Sequence, residues 1–70
     1  MTELALDRKY YHLHTEMIEW ARKNIGTGGW RRPNTERGDT WGLIIAFGHQ
    51  QWYFINEKDA MIFTLKWIND

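Results

Sequence analysis

The 70-residue chain has no cysteine, no serine and only one proline. Without cysteine there is no disulfide framework and no thiolate zinc site, two staples on which small domains often depend. That absence also fits a reducing compartment. With serine missing too, Thr2, Thr15, Thr27, Thr35, Thr40 and Thr64 are the remaining hydroxyl nucleophiles of this class, and none has a recognisable base in sequence. Net charge is likewise lacking, with nine basic and nine acidic residues. That balance argues against generic charge-driven binding to nucleic acid or to an acidic membrane. No stretch approaches the roughly 18 apolar residues of a membrane span. The opening "MTELALDRK" has neither the positive start nor the apolar run of a signal peptide. The expectation is a soluble, cytoplasmic chain forming one domain over residues 1–70.

The chain is rich in rings: five Trp, three Tyr and three Phe. A domain this short buries only about 60% of the surface its unfolded form exposes. Each large ring buries about 150–250 Å², so a few of them can build much of a small core. Self-association is the other staple open to it.

Leu6, Tyr10, Leu13, Met17, Trp20 and Ala21 recur at steps of three and four and predict a helix from about residue 7. Thr2 and Asp7 are both candidate caps. The alternative, "YYHLH" (10–14) as a short strand, would break an otherwise continuous stripe. Arg22 and Lys23 suit the helix's last turn, and Gly26 suits its end. Residues 26–40, "GTGGWRRPNTERGDT", are turn-rich, with Trp30–Arg32 as a short strand before Pro33. "WGLIIAFG" (41–48) reads as a strand, "GHQQ" (48–51) as a turn, and "QWYFI" (51–55) as the returning strand of a hairpin. Asn56 then caps a last helix running to about Ile68, with Glu57 and Asp59 in its first turn. The predicted fold is α+β: a small antiparallel meander of two or three strands packed against two helices, in the order α-β-β-β-α.

The last helix is apolar on nearly every side. Met61, Leu65 and Ile68 make one row, which is expected to face the sheet. Phe63 and Trp67 make a second. Either the first helix covers that second row, or Phe63 and Trp67 form an interface with a second copy or a partner protein.

The pattern "F-x-N-E-K-D-A-M-x-F-x-L-x-W", Phe54 to Trp67, resembles the ending of many small uncharacterised proteins of tailed phages, marine and cyanobacterial phages above all. "LHTEMIEWARKNIG", Leu13 to Gly26, is similar to their front helix. Together the two stretches cover about half the chain. The resemblance implies an architecture and a viral source, with the host cytoplasm as location, and it implies no activity.

Arg22, Lys23, Arg31, Arg32 and Arg37 are five of the nine cations. Trp30 and Trp41 bracket the arginine-rich loop. Guanidinium forks beside aromatic platforms are what single-stranded nucleic acid needs, so Trp30, Arg31, Arg32, Arg37 and Trp41 are a candidate binding set. The plainer alternative is a solvated loop whose arginines stack on tryptophan or pair with Glu36 and Asp39. His12 and His14 would lie about 200° apart on a helix and could not share a metal. His12, Glu16 and Glu19 read better as an exposed polar face, and His49 as a turn residue. "GTGGWRR" lacks the Gly-Lys-Ser/Thr ending of a phosphate-binding loop. No catalytic residue, metal or cofactor is therefore expected. The function expected is non-enzymatic binding, through self-association or to a host protein, as a phage accessory protein would need. The alternative is an RNA or single-stranded DNA binder.

Overall fold

Alternation, not helical spacing, governs the first residues of the computed structural model, which describes residues 1–68. Thr2–Leu6 form strand β1, an element the helical stripe did not predict. Glu, Leu and Ala are good helix formers, and pairing overrides that propensity. β1 runs antiparallel to the strand His49–Phe54 with Thr2 opposite Phe54, Leu4 opposite Trp52 and Leu6 opposite Gln50. Asp7 ends the strand and starts the helix, its carboxylate accepting the Lys9 N–H at 3.1 Å. The helical stretch does begin there. Its first part, Arg8–Leu13, is a 3₁₀ helix that includes most of "YYHLH", and α1 proper spans His14–Asn24. The Ile25 and Gly26 N–H groups both donate to the Ala21 carbonyl, at 2.8 and 3.0 Å, and close α1 at the expected glycine.

The sheet departs from a plain antiparallel meander. The short strand β2 is Gly28–Gly29, not Trp30–Arg32, and it pairs parallel with Trp41–Gly42 of β3 (Trp41–Ala46). A Cβ at Gly28 would overlap the Trp41 ring, so only glycine lets β2 lie this close. The predicted hairpin is present as β3 and β4 (His49–Phe54). Its turn is Phe47–Gly48, earlier than expected, because Ala46 already pairs with His49. Phe47 and Gly48 have φ of 55° and 82°, the two positive values a type I′ turn requires. Four strands thus form one mixed sheet in the order β1-β4-β3-β2, and the fold is α+β with the element order β-α-β-β-β-α.

Register puts Leu4, Leu6, Leu43, Trp52, Phe54 and Trp41 on one face of the sheet. The core is built there with Met17, Ile18 and Ala21 of α1 and Ala60 and Phe63 of the last helix, α2 (Glu57–Trp67). The Trp52 ring is its centre, 5.3 Å from Trp41 and 4.5 Å from Phe63 by centroid. Its indole N–H donates to Gln50 Oε1 at 2.9 Å, and Gln50 Nε2 donates to the Tyr10 carbonyl at 2.9 Å. This relay satisfies the buried Trp52 indole and the Gln50 amide, whereas the Trp67 indole N–H is buried without a partner among the described residues. Asn56 holds the N-cap position of α2 with extended backbone, but its side chain makes no capping bond; Glu57 and Asp59 in the first turn carry the favourable charge.

Of the expectations for α2, the first helix does cover the row of Phe63 and Trp67, whereas Met61 and Leu65 do not face the sheet. Phe63 is fully buried, 5.2 Å from Phe54, and Trp20 of α1 meets Phe63 and Trp67 edge-on at 6.1 and 6.4 Å. Phe63 and Trp67 are thus covered by the sheet and the first helix, and Phe63 is not a surface residue. Met61 and Leu65 are the exposed row, at 58% and 62% accessible, whereas Ile68 is partly buried against the core. Rings offer more area than Met or Leu, so the face that buries them takes the sheet.

Candidate interaction surface

The expected binding set does not converge on one site. Trp41 is wholly buried, and its indole N–H donates to the Gly26 carbonyl at 2.8 Å. It is a core residue and offers no ring for base stacking. Arg31 and Arg37 are turned to Asp39, the Arg31 Nη2 lying 3.3 Å from Oδ1 and the Arg37 Nη2 3.3 Å from Oδ2. The Asn34 N–H also donates to Asp39, at 3.0 Å. That backbone bond is the main cause of a carboxyl pKa below its ordinary 3.8; burial opposes it and the two guanidinium charges reinforce it. Arg32 lies over the Tyr53 ring, 5.1 Å from its centroid. Trp30 remains open, 53% accessible, edge-on to His14.

These contacts make the segment a strap. Arg31 and Pro33 pass so close to Gly42 that a Cβ there would strike the Arg31 carbonyl. The strap therefore covers Gly42 and Tyr53 on the sheet face opposite the helices, and Asp39 ties its two ends. The paired-arginine alternative held for Arg31 and Arg37, with Asp39 as partner, while Arg32 stacks on tyrosine. Among the described residues, no group of three or more His, Asp or Glu side chains is placed to hold a metal. No described helix is long and apolar enough to cross a membrane.

The surface that sequence reasoning missed lies at the other end of the sheet. β1 is its outermost strand, so among the described residues no strand lies on its outer side. Between β1 and α2 runs a groove of about 350 Å³, lined by Thr2, Leu4, Ala60, Met61, Thr64 and Leu65 with Glu57 at one end. Ile62, also exposed, continues the apolar surface along α2. Isolated exposed apolar residues need no explanation, but several large ones beside an open strand edge do. The missed signal was the alternation in "TELAL", and the rule that rings outrank flexible side chains for burial would have exchanged the two rows of α2.

Compared with known proteins, the chain matches no family model, no curated protein and no solved structure.

Proposed function

We propose that the protein is a non-enzymatic interaction module that takes an extended segment of a partner along β1. The partner strand would pair with the open main-chain edge, and its alternate apolar side chains would enter the groove between β1 and α2. Strand addition of this kind draws affinity from main-chain hydrogen bonds and selectivity from pockets for every second side chain. The observation that carries the reading is the meeting of the free β1 edge with exposed Met61 and Leu65. The partner's chemistry is a strand with apolar residues at alternate positions. β1 of a second copy has that pattern, and so can a segment of a host protein. The likeness of Phe54–Trp67 to tailed-phage proteins supplies a setting, an accessory protein acting on its host.

The test is a titration of the isotope-labelled protein with short unstructured peptides of alternating apolar pattern, against scrambled controls. Expected are shift changes and slowed amide exchange confined to Thr2–Leu6 and the adjoining side of α2, abolished by Leu65→Lys. If no such peptide perturbs β1 at millimolar concentration, the proposal fails. The nucleic-acid alternative now rests on Trp30 and Arg32, with Trp41 removed and Arg31 and Arg37 engaged by Asp39. Titrating labelled single strands at two salt concentrations tests it: binding that weakens with salt and with Trp30→Ala would support it over strand addition.

A further inference from the structure

We infer that the strand taken by β1 is β1 of a second copy, paired antiparallel about a two-fold axis through Leu4. This rests on the strand-addition reading above and names its partner. Natural edge strands discourage such pairing with proline, charged side chains (lysine above all), a bulge or very short length. Of these β1 has only one charge, Glu3. Thr2–Leu6 contain no proline or lysine, and their register against β4 is unbroken over five residues. The opposite edge is β2, only two residues long.

The sequence of β1 selects one register. In a two-fold antiparallel pair, directly opposite residues lie on the same face, so a residue on the helix side meets another from the helix side. Centring on Glu3 sets the two Glu3 carboxylates against each other. Centring on Ala5 sets Glu3 against Asp7 of the other copy. Centring on Leu4 pairs all five residues and sets no like charges opposite. Glu3 then faces Ala5, Thr2 faces Leu6, and Leu4 meets Leu4 beside the two grooves. Met61 and Leu65 of both copies would flank that apolar seam, which would lengthen the sheet to eight strands. Like charges directly opposite weaken a pair, so avoidance of charge repulsion as well as length favours this register.

Sedimentation of the full chain over a range of concentrations, with a charge series at Ala5, tests the pairing. Ala5 is exposed, so these variants leave the core untouched. A reversible dimer is expected. Ala5→Glu places a carboxylate opposite Glu3 twice per dimer and should weaken association roughly three- to tenfold. Ala5→Lys should hold or tighten it, and Glu3→Lys combined with Ala5→Glu should restore it. A variant-free measurement stands beside these: half-filtered NOEs in a mixed-label sample should connect Leu4 of one copy to Leu4 of the other. A monomer at every concentration overturns the inference, and so does a dimer indifferent to the sign of charge at residue 5 that lacks the Leu4 contact. If the chain stays monomeric while alternating peptides still bind β1, self-pairing alone fails. If neither occurs, strand addition fails with it.

Discussion

The two edges of the sheet are managed in opposite ways. At the β2 edge the strand is two residues long and Trp41 lies buried beneath it, while the strap anchored by Asp39 covers the sheet face next to it. At the β1 edge the strand is five residues long, nothing among the described residues pairs with its outer side, and the groove beside it is apolar. An unprotected edge is a hazard in a monomer and an asset in a protein that recruits a strand. The arginine-rich segment looked like the binding element by composition, yet Arg31 and Arg37 are paired with the buried Asp39 and Arg32 lies over Tyr53. The surface proposed for docking lies at the far edge, where composition gave little sign.

Removing what holds the closed edge should have the largest effect. Trp41→Ala should cost about 3–5 kcal/mol, the range for deleting a buried ring, measured by urea unfolding. A loss under about 1 kcal/mol would mean that this edge does not depend on the ring. Asp39→Asn should come next, with a smaller fall in the unfolding midpoint and a changed response to acid. The folded pKa of Asp39 lies below its ordinary 3.8, so its stabilising contribution is present in full above that value. It is lost as pH falls through the lower folded pKa. The wild-type protein should therefore lose stability across that acid window, and the Asn variant should lose less of it. Equal acid profiles would remove Asp39 as the strap's anchor.

A gain is expected at the hairpin tip. Phe47 is 88% accessible at φ 55°, so its ring buries little while its backbone sits where a bulky side chain is strained. Phe47→Gly should raise stability by about 1 kcal/mol. Arg8 Nε donates to the Phe47 carbonyl at 3.0 Å, a bond the substitution leaves in place. The smallest stability effects belong to the open edge. Met61→Lys and Leu65→Lys should each stay within about 0.5 kcal/mol of wild type in the monomer, as exposed positions do, while abolishing association at β1. A large loss of monomer stability would show that this row is core after all, and would erase the contrast between the edges.

Much of the architecture was legible. The helix after Asp7, the hairpin and the final helix follow from periodicity, turn residues and charge placement, and the aromatic core follows from ring content. The candidate site was hardly legible. Trp30 and Trp41 look alike in sequence, yet one is open and the other lies under Gly28, a difference set by contact with another strand. On α2 both apolar rows have helical spacing, so periodicity could not choose between Phe63 with Trp67 and Met61 with Leu65. β1 was hidden because Leu6 also fits the helical stripe.

By itself, the sequence determined an α+β chain without disulfides, balanced in charge, with a core made of rings. These properties depend on residue type and local spacing, which the chain carries with it. Only the tertiary structure decided that Thr2–Leu6 would be an edge strand, that Asp39 would gather Arg31 and Arg37, and that Met61 and Leu65 would be left outside. Each of those outcomes depends on which distant residue occupies the neighbouring space: Trp52 beside Leu4, Asn34 at Asp39, and the Phe54 and Trp20 rings around Phe63. Burial is shared among competing surfaces, and the largest rings took it.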